Sequence, residues 1–109
     1  MVEMPNTRIS VPSTAKRGDV IELKTLIMHP METGYRVDSM AKPFPKRIIH
    51  TFTCTYNGEE IYRIELNTGI AANPYLSFST VATESGILRF TWYDDDGSVY
   101  SKTAQIEVV

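Results

Sequence analysis

Alternation of apolar and polar residues organises most of this chain. Residues 19–28, DVIELKTLIM, place Ile21, Leu23, Thr25 and Ile27 on one face and Glu22 and Lys24 on the other. A period of two predicts a strand, and the β-branched content agrees. Val20 and Leu26 break the polar face, so part of it is expected to be covered. Residues 48–56, IIHTFTCTY, set Phe52, Cys54 and Tyr56 against Thr51, Thr53 and Thr55. Asn57-Gly58 then signals a two-residue hairpin, and residues 59–66 return as the paired strand. Further strands are expected at residues 8–11, 75–82, 87–93 and 98–109. Trp92 is the expected core aromatic, and its indole N–H is expected to need a partner. Residues 13–18, STAKRG, and 83–86, TESG, read as turns. No segment carries a helical period.

About seven antiparallel strands at this spacing predict an all-β fold, an immunoglobulin-like β-sandwich. The Cys…Trp…Cys signature of antibody domains is absent, so the likeness is architectural. Residues 1–7 are expected to be a flexible tail and residues 8–109 a single domain, consistent with a length of 109 residues.

Two stretches escape the alternation. Residues 29–45, HPMETGYRVDSMAKPFP, carry three prolines, a glycine and no period. Loops this long are usually functional or disordered. Residues 67–74, NTGIAANP, form a second, shorter irregular connection.

Composition removes several function classes. Hydrophobic residues make up 42% and charged residues 22%, and the net charge is -2. That composition is ordinary for a globular domain, and the charge gives no basic surface for nucleic acid. No run is long enough for a membrane helix. The opening residues, MVEMPNTRISV, show no signal-peptide pattern.

Candidate chemistry is sparse. His50 and Cys54 sit four residues apart on one strand face, about 13 Å at strand rise, too far to pair directly. Cys54, flanked by aromatics on an apolar face, reads as a small buried hydrophobe, with a reactive or intermolecular thiol as the alternative. His29, Glu32 and Asp38 are in principle able to meet within the long loop, but they lack zinc-type spacing. Asp94-Asp95-Asp96-Gly97 lacks the spaced ligands of a calcium loop and reads as a solvated hairpin tip. No metal, no cofactor and no catalytic residue is therefore expected, and the chain is expected not to be an enzyme. An enzyme acting through His29 and Glu32 is the least favoured reading.

The motifs HPMETG, FTCTYNG, ANPYLSF, ATESG and FTWYDDDG, in this order, closely resemble the Z subunit of the SoxYZ carrier of the Sox sulfur-oxidation system. The resemblance covers about residues 8–109. It implies an immunoglobulin-like, non-catalytic subunit in a heterodimer with the Y subunit, which carries sulfur intermediates of thiosulfate oxidation on a cysteine near its glycine-rich C-terminus. It implies contact with other Sox enzymes through that complex, and residence in the periplasm. There the chain would arrive without its own signal peptide, co-exported with the Y subunit. This chain ends QIEVV and has no glycine-flanked cysteine, so the carrier role does not pass to Cys54.

Loops on a rigid sandwich supply partner surfaces. The expected contact residues are Met28, His29, Met31, Glu32, Tyr35, Met40 and Phe44 from the long loop, with Ile70 and Asn73 from the shorter one. His29 and Glu32 are expected to shape that surface. Expressed alone, the chain is expected to form a homodimer through exposed apolar surface or an open sheet edge. The competing reading is a generic structural β-sandwich module of another periplasmic assembly.

Overall fold

The alternation is realised as eight strands in a computed structural model that describes residues 5–109. They are β1 (Thr7–Ser10), β2 (Thr14–Ala15), β3 (Val20–Ile27), β4 (Ile49–Tyr56), β5 (Glu59–Glu65), β6 (Tyr75–Val81), β7 (Gly86–Asp94) and β8 (Val99–Val108). Among the described residues there is no helix. Residues 1–4 of the expected tail lie outside them.

Two sheets pack face to face. One has the order β1-β3-β6, the other β2-β8-β7-β4-β5. The immunoglobulin-like sandwich expected from the sequence is the fold. The additional strand is β2, inside the stretch read as a turn. It runs parallel to the end of β8, with Thr14 opposite Glu107 and Ala15 opposite Val108. A two-residue strand has no periodicity to read, and its partner is at the other end of the chain.

The alternating faces close the core. Ile21, Leu23, Thr25 and Ile27 of β3 are buried and face Phe52, Cys54, Leu88, Phe90 and Trp92 of the larger sheet. Aromatic rings join the two sheets. Phe78 of β6 stacks on Tyr62 of β5, centroids 4.2 Å apart and 4° from parallel, and meets Phe52 edge-on at 5.9 Å. Phe52 in turn lies 5.3 Å from Trp92. Such pairs contribute roughly 0.5–1.5 kcal/mol beyond their buried area. The indole N–H of Trp92 has no hydrogen-bond partner among the described residues, contrary to expectation: the hydroxyl of Tyr100, the residue opposite it in β8, is turned to Asp94 instead.

Two bulges change what the alternation implied. The register of β4 against β7 shifts between Ile49 and Thr51. The extra residue, His50, turns outward and becomes exposed, while Ile49 goes fully inside. His50 and Cys54 therefore do not share a face. The second shift, between Cys54 and Thr55 against β5, lets Ile61 pack against the core. Thr51 and Thr53, on the face opposite Phe52 and Cys54, are nevertheless buried, as is Thr91 of β7. Their cross-strand neighbours Arg63, Glu65, Tyr93 and Ser101 stand over them, and Thr91 Oγ1 bonds Ser101 Oγ at 3.2 Å.

The Asn57-Gly58 turn has the positive φ values its sequence requires, 50° and 84°. It also does more than reverse the chain. Asn57 Oδ1 accepts the Ile87 N–H at 2.9 Å, and Asn57 Nδ2 donates to Glu84 Oε1 and the Ser85 carbonyl. The Tyr56 hydroxyl donates to the Glu84 carbonyl. Gly86 leaves room for this. A Cβ there would lie 1.8 Å from Asn57 Oδ1. Gly86→Ala is therefore expected to expel the Asn57 side chain and cost about 1 kcal/mol in urea unfolding. In an Asn57→Gly background, which keeps the turn's φ, the same substitution is expected to cost almost nothing. Equal costs in both backgrounds would show that the Asn57 contact is not what Gly86 protects.

Candidate partner-docking arm and its buried clasp

The long irregular stretch is an arm built as a distorted hairpin. Glu32 and Arg47 exchange both backbone hydrogen bonds, at 2.8 and 2.7 Å, and Phe44 N donates to the Arg36 carbonyl. Val37 bridges Pro43. The tip is closed by Asp38, whose Oδ1 accepts the amides of Met40 and Lys42 at 2.8 and 3.0 Å. Asp38 thus makes a turn of the kind its short side chain favours. Proline and positive-φ residues, with Gly34 at 88° and Ala41 at 59°, interrupt the ladder. That is why no alternation marks it in the sequence.

The arm divides the expected contact residues. Tyr35 and Met40 are the most exposed large apolar side chains of the described residues, at 82% and 85%, with Val37 at 53% beside them. Met28 is half exposed at the arm's entrance. Phe44 is partly buried under Arg36, whose guanidinium lies 4.0 Å from its ring centre. Glu32 binds Arg36 across one turn of the arm. Hydrogen bonding from Arg36 holds the Glu32 carboxyl below its ordinary range.

His29 and Met31, expected at the contact surface, are instead buried, at 2% and 4%. The His29 ring is used on both sides. Nδ1 accepts the Met31 N–H at 2.9 Å, so Nε2 carries the proton that meets Asp94 Oδ2 at 2.8 Å. Met31 takes a left-handed φ of 51° and receives the Ile49 N–H on its sulfur at 3.3 Å. His29 N donates to Asn73 Oδ1 at 2.9 Å and Asn73 N returns to the His29 carbonyl at 2.7 Å. The arm and the shorter loop are thereby tied together at their roots. Asn73 is exposed, and Ile70 packs partly against the core.

Sequence reasoning missed the residue on which all this converges. Asp94, read as part of a solvated tip, is 2% exposed. Besides His29, its Oδ2 accepts Tyr100 Oη at 3.0 Å and Arg47 Nη2 at 3.2 Å. Its Oδ1 accepts the Asp96 amide at 3.2 Å and Arg47 Nε at 3.4 Å. Burial by itself would raise the Asp94 carboxyl, but the donors outweigh it, Arg47 first and His29 next, and hold it below the usual carboxylate range. Asp95 and Asp96 are exposed as expected. Asp95 also braces the arm, accepting the Ile48 amide at 3.1 Å.

His29 and Glu32 engage different partners, and Asp38 is at the tip, so the three do not meet. Among the described residues no cluster of three His, Cys, Asp or Glu side chains is placed to hold a metal. Cys54 is fully buried, and burial pushes its thiol up to about 12.

Comparison with known families decides the affiliation. The model of the sulphur oxidation protein SoxZ matches residues 9–105. The chain belongs to the SoxZ family. Membership marks it as a subunit of sulfur oxidation. A putative superoxide reductase from Thermotoga maritima shares its fold, at 15% identity and TM-score 0.73, over 98% of this chain and 88% of that one. The superoxide reductase (neelaredoxin) of Ignicoccus hospitalis does so at 16% identity and TM-score 0.71, over 94% and 80%. The sulfur carrier protein SoxY of Chlorobium limicola f thiosulfatophilum is similar at 11% identity and TM-score 0.63, over 94% and 78%. At these identities the likenesses show the fold alone. Comparison with curated proteins by sequence finds no match.

In this SoxZ-family chain the clasp predicts a defined acid sensitivity. A lowered folded-state value means that Asp94 stabilises fully above its unfolded value of about 3.9. That contribution is lost as pH falls through the lower folded value. Asp94→Asn puts an NH2 group against donors and is expected to cost about 2–4 kcal/mol at neutral pH. The variant's stability is also expected to fall less steeply than the parent's below about pH 4. Urea midpoints at neutral pH and across the acid range check both, and identical acid limbs would count against the clasp.

Proposed function

We propose that this chain is the non-catalytic binding subunit of a sulfur carrier, pairing with the Y subunit in the periplasm. The complex moves covalently bound sulfur intermediates between Sox enzymes. The family match over residues 9–105 carries this reading. The arm supplies the contact surface. Tyr35, Val37 and Met40 stand out in solvent, and the ladder and the Asp38 turn hold them in place. Apolar residues on a rigid support are what an interface anchor requires, because little conformational freedom is lost on docking. Methionine adds adaptability of shape.

His29, Met31 and Asp94 act behind this surface, by fixing the root of the arm. Met28 and Asn73 lie beside it and extend the contact. Cys54 is buried and carries no sulfur cargo, so the sulfur remains on the Y subunit throughout, and other Sox enzymes meet this chain only as part of the complex. On this reading it crosses the membrane attached to the folded Y subunit.

Two measurements test the proposal. Co-purification with the Y subunit is expected to be lost on deleting residues 35–42. Met40→Asp with Tyr35→Asp is expected to weaken the pairing by about 2 kcal/mol, roughly 30-fold, with the urea midpoint of the isolated chain unchanged. Undiminished pairing in both variants would remove the arm from the interface. In cell fractionation, the chain is expected in the periplasm only when the Y subunit with its signal is co-expressed. Export without it would overturn the shared route.

A further inference from the structure

The four sheet edges are guarded unequally. β5 carries Glu59, Glu60, Arg63 and Glu65 and a register shift, and β1 and β2 have only four and two residues. Charge, irregularity and shortness all discourage strand addition. β6 has none of these defences. Its seven residues, YLSFSTV, contain no charge, no proline and no glycine, and they pair with β3 in unbroken register from Val20–Val81 to Leu26–Tyr75.

The hydrogen-bond parity of that pairing shows which groups face outward. Just beyond the N-terminal end of β6, Ile27 N donates to the Pro74 carbonyl. Just beyond its C-terminal end, Ala82 N donates to the Asp19 carbonyl. Alternate residues of an antiparallel pair exchange hydrogen bonds, so Leu76, Phe78 and Thr80 point their backbone groups at β3. Tyr75, Ser77, Ser79 and Val81 point theirs out of the sheet. All four are exposed, and among the described residues β6 pairs only with β3.

We infer that two copies of this chain join through β6, antiparallel about a two-fold axis. Pairing of all four outward-facing residues selects the register, and the charge pattern agrees with it, although Lys24 and Glu22 already pair within each chain. If Ser77 faced Ser77 of the second copy, Lys24, which is opposite Ser77, would share a row with the other Lys24. If Ser79 faced Ser79, the two Glu22 side chains would share a row. The register between them sets Ser77 opposite Ser79 and Tyr75 opposite Val81. All four outward-facing residues then find partners, and each row runs from Lys24 through two serines to Glu22 of the second copy. The neighbouring rows become continuous apolar stripes of Leu26, Tyr75, Val81 and Val20. That accounts for three exposed apolar side chains, Val20 at 72%, Tyr75 at 58% and Val81 at 46%. The product is one six-stranded sheet, β1-β3-β6-β6-β3-β1, with Phe78 meeting Phe78 at its centre.

Sedimentation equilibrium of the isolated chain at roughly 100 µM, suited to a micromolar dissociation constant, is expected to give a dimer. Ser79→Lys, on an exposed face, is expected to weaken it at least tenfold while leaving the urea midpoint unchanged. Register is read by mixing Ser77→Cys with Ser79→Cys under oxidation. Directly opposed residues are about 5.5 Å apart, within disulfide reach, so the mixture is expected to cross-link readily. Either variant alone, with its cysteines on the diagonal at about 7–8 Å, is expected to cross-link poorly. Cys54 is buried and does not interfere. A monomeric parent chain would overturn the proposal, as would a dimer that Ser79→Lys leaves intact or cross-linking as strong in the single variants as in the mixture.

Discussion

One buried carboxylate governs how this domain presents its loops. Asp94 closes β7, where a charge away from water is tolerated only if donors surround it. The donors come from His29 at the end of β3, Arg47 at the return of the arm, Tyr100 in β8 and the Asp96 amide of the hairpin. His29 in turn holds Asn73 and Met31. Three separate connections at one end of the sandwich are thus fixed relative to one another by a single side chain. Arg47 has a double role, because its backbone closes the base of the arm on Glu32 while its guanidinium closes the clasp.

The scaffold was legible because strand alternation is a local property, carried by each pair of neighbouring residues. β3, β4 and β7 follow it, and so does the burial of Ile21, Leu23, Phe52, Cys54, Phe90 and Trp92. What was not legible is non-local. Asp94 lies in a run that locally looks like any solvated turn, and its partners His29 and Arg47 are 65 and 47 residues away. The bulge that turns His50 outward depends on β7, not on the sequence around His50. The arm had no period to read because prolines and left-handed residues interrupt its ladder. Its length alone marked it as a feature of interest.

The two ends of the sandwich are built differently. At one end of β4 the turn at Asn57 packs against the start of β7, with Gly86 making the space. At the other end the arm leaves the sheets with apolar side chains facing water. Loops can diverge in this way on a common frame, and the superoxide reductases and the SoxY carrier share the frame at identities of 16% or less. Function in such folds belongs to the site. Here the arm presents Tyr35, Val37 and Met40 to solvent from a hydrogen-bonded base.

The placement of Cys54 has a consequence for a protein that belongs to sulfur metabolism. Thiolates attack persulfides and disulfides, whereas protonated thiols do not. With its thiol pushed up to about 12 by burial, Cys54 is deprotonated in only on the order of one molecule in 10⁵ at neutral pH. Aromatic side chains wall it off from solvent as well. Protonation and burial thus both keep Cys54 out of thiol–disulfide exchange, and the sulfur atom serves the core as a small apolar group.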